Sequence, residues 1–193
     1  MTVHPPVTGH GDELRDALRT FRDCAHVTER WGAQLARVLT GGGRPPATGN
    51  GGSTAQAQHL TAEPVGRYRD DRPASSAIGP LAGTSSTTAI ADDYGVDAVF
   101  ARRVRAHGRP GDVLMLLSTS GAGADLPSAA DAGRAAGLRV GAPSGPAPSA
   151  LTAGSDEALC AEAPTAATVQ ELRLVAVHMM CAASDAVLER EVA

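Results

Sequence analysis

Apolar and polar positions alternate in blocks along this chain, and the blocks switch between two rhythms. Over residues 12–39, Leu14, Leu18, Phe21, Ala25 and Val27 form a partial apolar stripe, which predicts a long amphipathic helical region. Asp112 is followed by the unbroken apolar run Val113-Leu-Met-Leu-Leu117, bounded by hydroxyl residues and too short for a helix. That pattern predicts a buried strand over 113–118. Residues 124–136 return to helical composition, and Gly137 stands where such a helix would stop. Residues 138–142 predict a further strand, 143–149 a Pro/Gly/Ser loop, the surroundings of Leu159 a short strand, and 165–191 a final helix. Upstream, 53–63 reads as an alanine-rich helix capped by Ser53, and 75–79 as a weak strand. Residues 84–93 and 96–107 read as helices, the second with Arg102, Arg103 and Arg105 on exposed faces. Residues 1–11, with Pro5 and Pro6, read as a loose tail. Strands separated by helices argue for an α/β fold with a parallel sheet covered on both faces. In such sheets ligands sit at the carboxyl ends of the strands.

Bulk properties narrow the function classes. A chain of 193 residues fits one domain with a sizeable core, here residues 12–193. Aromatics are only 3%, so the core has to be built from Ala, Val and Leu. A net charge of −4 without a basic run argues against nucleic acid as the main ligand. The N-terminal segment lacks the apolar centre of a signal peptide, and no apolar stretch approaches the ~18 residues of a membrane span. A soluble cytoplasmic protein with no membrane partner is expected. Cys24, Cys160 and Cys181 are odd in number and lack C-x-x-C spacing, so reduced core residues are expected.

Three segments carry chemistry. Gly49-Asn50-Gly51-Gly52-Ser53 is a turn whose glycines let backbone N–H groups approach a ligand. On the helix after it, His59 and Glu63 are i and i+4 and share one face. Alone, that pair is most simply a solvated ion pair; above a ligand-cradling turn it suits a metal site or acid–base chemistry. Ser118-Thr119-Ser120-Gly121 leads from the 113–118 strand into a helix, an arrangement that favours an anion, above all a phosphate. On the final helix, Gln170 and His178 interrupt an apolar run. A buried histidine there needs a hydrogen bond or a bound ligand. Eight residues of helix span ~12 Å. Gln170 and His178 therefore reach one ion only by converging from either side, or a neighbouring subunit supplies one of them. G-x-G-x-x-G and Gly-Lys-Ser/Thr are both missing, which disfavours nicotinamide and P-loop nucleotide sites.

Taken in order, Gly49-Asn-Gly-Gly-Ser53, Gln58-His59-x-x-x-Glu63, Val65-Gly-Arg-Tyr68, Asp92-Asp-Tyr-Gly95, Ser118-Thr-Ser-Gly121 and Gln170-Glu171…His178 resemble the phosphoheptose isomerases of the sugar-isomerase (SIS) fold. The resemblance covers residues 14–188. It implies a three-layer, flavodoxin-like αβα sandwich with a five-stranded parallel sheet and a long N-terminal helix, assembled as a homotetramer with active sites at subunit contacts. It also implies aldose–ketose isomerisation of D-sedoheptulose 7-phosphate to D-glycero-D-manno-heptose 7-phosphate through an enediol. Glu63 and His178 would transfer the protons. His59, Glu63, Gln170 and His178 match residues that hold a zinc ion in related enzymes, where a Lewis acid polarises the carbonyl. Asn50, Gly51, Gly52, Glu63 and Gln170 would bind the sugar, Asp92 and Asp93 its hydroxyls, and Ser118, Thr119 and Ser120 the phosphate.

Three positions depart from the family pattern. Ala122-Gly123 stands where Asn-Ser is common, and the missing serine is a substrate contact. Arg44-Pro45-Pro46-Ala47-Thr48 replaces an apolar strand, and each proline removes a ladder donor, so that strand should be short or begin at Ala47. Pro64 follows Glu63 directly, so the helix should kink or stop there. An SIS isomerase of another phosphosugar is the alternative enzyme. A non-catalytic SIS protein, one that senses sugar phosphates or assembles on a replication initiator, is the opposed class.

Overall fold

A computed structural model of the chain describes residues 9–79 and 83–192. In chain order the elements are α1 (Gly9–Phe21), a 3-10 turn (Arg22–Cys24), α2 (Ala25–Thr40), β1 (Ala47–Gly49), α3 (Gly52–Val65) and α4 (Thr84–Tyr94). A second 3-10 turn (Val96–Ala98) precedes α5 (Val99–His107), β2 (Val113–Leu117), α6 (Asp125–Ala135) and β3 (Arg139–Ser144). Then come α7 (Ala150–Ala153), β4 (Glu157–Cys160) and the long α8 (Ala166–Val192).

The strands form one parallel sheet in the order β1-β2-β3-β4. The unbroken apolar run of β2 follows from burial on both faces. Val113, Met115 and Leu117 join the core packed by α2, α3 and α8, whereas Leu114 and Leu116 join the core packed by α5 and α6. The result is the expected three-layer αβα sandwich. Few aromatics are available, and Phe21, Trp31 and Phe100 are all spent in the core. Trp31 donates its indole N–H to Glu157 Oε2 at 2.7 Å, so its one polar atom is satisfied at the sheet edge.

Several expectations need correction. The helical region 12–39 begins earlier, at Gly9, so residues 9–11 leave the expected tail; residues 1–8 lie outside the described residues. The region is also divided by the 3-10 turn after Phe21. Ser53 does not cap α3: Gly51, at φ +52, is the N-cap, and Ser53 is buried inside the first turn. Pro64 sits in the last turn of α3, where the ladder is ending anyway, and Gly66 N–H closes the helix on Ala62 O at 2.8 Å. Four strands are seen among the described residues, not five. Residues 75–79 contribute only an isolated parallel bridge between Ile78 and Pro46, on the free edge of β1. The cause is local: β1 starts at Ala47 because Pro45 and Pro46 have no N–H to continue a ladder. Arg103 is buried, not exposed. Its guanidinium donates to Gly83 O and Ser86 Oγ and pins the start of α4, while Arg102 and Arg105 face solvent. All three cysteines are free thiols, but only Cys181 is a core residue; Cys24 and Cys160 are half-buried. Among the described residues no helix is long and apolar enough to cross a membrane.

Candidate active site

β1 and β2 are neighbours, so their carboxyl ends deliver the two ligand loops side by side. The first loop is built by close approach. A side chain at Gly49 would lie 2.6 Å from Leu117 O and 2.7 Å from Ser53 Cβ. The turn is closed by Ser53 N–H to Asn50 O at 2.9 Å and Thr54 N–H to Gly51 O at 3.0 Å, leaving Gly51 and Gly52 exposed. Asn50 Nδ2 donates to Asp125 Oδ2 at 2.5 Å, which ties this turn to the first turn of α6.

The second loop, residues 118–121, follows β2. Ser118 Oγ accepts the Gly121 N–H at 2.8 Å, and Ser120 Oγ accepts from Ala122 N at 3.4 Å. A Cβ at Gly145 would fall 1.9 Å from Thr119 O, so glycine there lets the loop pack down. Ser118 and Thr119 are half-buried and Ser120 is exposed, which leaves hydroxyls at the surface for an anion. The N-terminus of α6 itself is already occupied. Asp125 is 7% exposed in its first turn and balances the positive end of the helix. A phosphate is therefore better held by Ser118, Thr119 and Ser120 than by α6 beyond Ala124.

α3 and α8 lie against each other and share the acid–base residues. His59 Nε2 is 3.0 Å from His178 Nε2, with the rings edge to face at a centroid distance of 5.2 Å. The same His59 nitrogen is 3.4 Å from Glu63 Oε1. Two imidazole nitrogens at that separation share one proton, one as donor and the other as acceptor. Tyr68 stacks on His178, 5.6 Å between centroids and 27° from parallel. His178 is half-buried rather than enclosed in the core. The backbone at Glu63 is held by Arg72, which donates to the carbonyls of Glu63 and Pro64 at 2.8 and 3.0 Å and pairs with Asp185 of α8 at 2.9 Å. Those bonds satisfy carbonyls that the end of α3 leaves open.

Gln170 takes a different place. Its side-chain amide packs on Gly52, where an added Cβ would lie 2.8 Å from both Nε2 and Oε1, and its backbone carbonyl accepts from the Gln56 side chain. Of the four expected metal ligands, the structure joins His59 to Glu63 and to His178 and sets Gln170 against the glycine turn. Among the described residues no three His, Cys, Asp or Glu side chains close into a metal cluster. Asp92 and Asp93 are exposed in the last turn of α4, and no hydrogen bond or ion pair among the described residues joins them to the other candidates.

With this geometry in view, the chain can be set beside known proteins. Residues 12–145 match the SIS domain family. The chain is 74% identical over 190 residues to a phosphoheptose isomerase of Streptomyces coelicolor, covering 98% of this chain and 82% of that protein. The chain belongs to the phosphoheptose isomerase family. Two solved members share its architecture. The Neisseria gonorrhoeae phosphoheptose isomerase superposes with a TM-score of 0.85 at 34% identity, over 94% of this chain and 97% of that one. The Francisella tularensis phosphoheptose isomerase superposes with a TM-score of 0.88 at 26% identity, over 96% and 100%.

Sequence reasoning passes over Asp125, Arg72 and any role for Tyr68. Asp125 reads as an ordinary acidic residue in a helix first turn. Arg72 lies in an irregular, charge-rich segment with no periodicity to place it. Tyr68 stands in a family motif, but only the fold puts it on His178.

Proposed function

We propose that this phosphoheptose isomerase family member interconverts sedoheptulose 7-phosphate and D-glycero-D-manno-heptose 7-phosphate. The observation that carries the reading is the His59–His178 pair with Glu63 beside it, next to a glycine turn and a serine loop at adjoining strand ends. The serine loop takes the phosphate at one end of the sugar, and Asn50 and the turn backbone take the other.

The chemistry then follows by residue. Glu63 removes the proton from C1 of the ketose, and the C–H electron pair forms the C1–C2 double bond while the C2 oxygen gains a proton. Collapse of the O1–H bond restores a carbonyl at C1, and Glu63 returns a proton to C2. His178 moves the proton between O1 and O2. Tyr68 stacks on the His178 ring and His59 meets it edge to face, which together orient it. A base and a shuttle acting in sequence each contribute ~10²–10⁴-fold.

The donor types of His59, Glu63 and His178, two imidazoles and a carboxylate, are those zinc takes, and binding would have to draw the three into a closed set that they do not form as they stand. Those three residues would hold it, with Gln170 as the further donor the family resemblance names. When bound, zinc supplies Lewis-acid polarisation of the substrate carbonyl. A homotetramer and a cytoplasmic location complete the reading, supported by family membership.

The test is direct. Incubated with sedoheptulose 7-phosphate and followed by NMR, the protein should generate aldose signals and exchange the C1 proton with solvent. Glu63→Gln should lower kcat by at least ~10²-fold. Wild-type exchange persisting in Glu63→Gln would sink the assignment. Chelation should remove most activity and zinc restore it; full activity in protein free of metal by elemental analysis would refute the metal, leaving the acid–base pair.

A second reading, an SIS isomerase of a different phosphosugar, is favoured by one observation: Gly123, where a serine contact to substrate is expected, has the Asp125 carboxylate packed against it. Side-by-side kcat/KM values for five-, six- and seven-carbon ketose phosphates separate the two.

A further inference from the structure

We propose that Asp125 is a positioning residue for substrate binding, acting through Asn50; the inference rests on the functional reading above and extends it to one hydroxyl of the sugar. Asp125 Oδ2 lies 2.5 Å from Asn50 Nδ2, and an ionised carboxylate can only accept. The NH2 side of the Asn50 amide must therefore face Asp125, and the opposite end, Oδ1, is turned away from it. An Asn side chain free to rotate offers a ligand either a donor or an acceptor with little preference. Held this way, Asn50 presents an acceptor, at the first residue after β1 and on the turn that faces the ligand. It can thus receive a hydrogen bond from a sugar hydroxyl, which always has one to give.

The neighbouring sequence is matched to this arrangement. A Cβ at Gly123 would stand 2.7 Å from the other carboxylate oxygen, Oδ1. Gly123 has no left-handed backbone to explain it. Its lack of a side chain is what lets the carboxylate lie in this orientation. Asp125 is 7% exposed and sits in the first turn of α6. Glycine in place of serine at position 123 and the fixed acceptor on Asn50 are therefore parts of one arrangement. The loop forgoes a hydroxyl directed at the phosphate end and holds an acceptor in place at the sugar end.

The test uses the full-length protein and a set of variants. Asp125→Ala and Asn50→Ala should each raise KM for sedoheptulose 7-phosphate roughly tenfold or more, as for one hydrogen bond to a charged group or its dependent, with a much smaller change in kcat. The double variant should be no worse than the poorer single, because both act through one contact. Gly123→Ala should raise KM in the same direction by pushing the carboxylate aside. Asp125→Asn, whose amide oxygen can still accept from Asn50, should recover most of the wild-type KM. Inhibition by inorganic phosphate should be unweakened throughout, because the serine loop is untouched. Additive effects of Asp125→Ala and Asn50→Ala would overturn the proposal. So would a loss of phosphate inhibition matching the rise in KM, which would place Asp125 in support of the anion loop. A readout independent of turnover is the Asn50 side-chain amide in ¹⁵N NMR, which should move strongly in Asp125→Ala and little in Asp125→Asn. If the wild-type protein isomerises no sugar phosphate, the functional reading falls and the amide resonance alone decides. A resonance that stays in place in Asp125→Ala then overturns the Asn50–Asp125 pairing.

Discussion

Arg173 offers a stability experiment whose sign can be worked out in advance. Its side chain is completely buried between α8 and α3, and its hydrogen-bond partner is Ser53 Oγ, 2.9 Å from Nη2. Nε and Nη1 are buried without a partner among the described residues. Burial alone pulls the guanidinium pKa down to about 10. A displacement of that size from the ordinary arginine value corresponds to roughly 3 kcal/mol against the charged form. The bond to Ser53 returns about 1.5–3 kcal/mol. The two nearly cancel, so Arg173→Met, similar in length and apolar, should change stability by no more than about 1 kcal/mol. Ser53→Ala should be worse, about 1.5–3 kcal/mol, because it removes the hydrogen-bond partner of the buried charge. The double variant removes both partners and should recover that loss, landing near or above the wild type. Denaturant unfolding followed by Trp31 fluorescence measures all four, at one protein concentration because association would shift the midpoints. If Arg173→Met costs more than about 3 kcal/mol, the guanidinium is held by more than Ser53 and the reasoning fails.

Gly52→Ala should leave stability within about 1 kcal/mol, since alanine suits a helix, yet cut activity because its Cβ would displace the Gln170 amide; full activity in that variant would remove Gln170 from the site. Burial raises the Glu157 carboxyl, but hydrogen bonds from Arg30 and Trp31 outweigh it and hold the group below its ordinary value. That stability is present above the unfolded carboxylate pKa, roughly 4.3, and is lost as pH falls through the lower folded value; Trp31 emission should therefore shift in wild type over this acid range, and an identical acid profile in Glu157→Gln would contradict the pairing. Burial first, and then the charges of Glu63 and Asp185, push the Cys181 thiol up to about 12, so iodoacetamide at neutral pH should spare it until the protein unfolds; mass spectrometry showing early labelling would refute this.

Much of this fold is written in spacing that a reader can see. The run Val113–Leu117 announces a strand buried on both faces, and Gly137, at φ +78, ends its helical neighbour as expected. Pro45 and Pro46 correctly signal a first strand that begins at Ala47. What is not legible depends on partners far away in sequence. Arg103 looks like its exposed neighbours until Gly83 and Ser86 are brought to it. Ser53 has the composition of a cap, but a glycine already supplies the backbone geometry, and its hydroxyl is claimed from 120 residues away by Arg173. The same holds in the site. His59 and Glu63 are visible as an i,i+4 pair, whereas the 3.0 Å contact from His59 to His178 and the pairing of Asn50 with Asp125 need the fold.

The long spacing between Gln170 and His178 now has a physical interpretation. α3 and α8 meet at successive levels: Gly52 and Gln56 against Gln170, Ser53 against Arg173, and His59 against His178. The two polar residues of α8 therefore serve different tasks along one seam, Gln170 at the substrate turn and His178 at the acid–base pair, ~12 Å apart along the helix axis. Gln170, Leu174 and His178 follow at intervals of four and share a stripe of α8. Leu174, between the two polar residues, is 36% exposed. A leucine open to solvent inside a functional polar stripe gains about 25 cal/mol for each Å² of its apolar surface that is covered. A neighbouring subunit laid across this seam would cover Leu174, close the site from water and bring a second set of side chains to the gap between Gln170 and His178. In the proposed tetramer this is therefore the face of α8 that a neighbour would take.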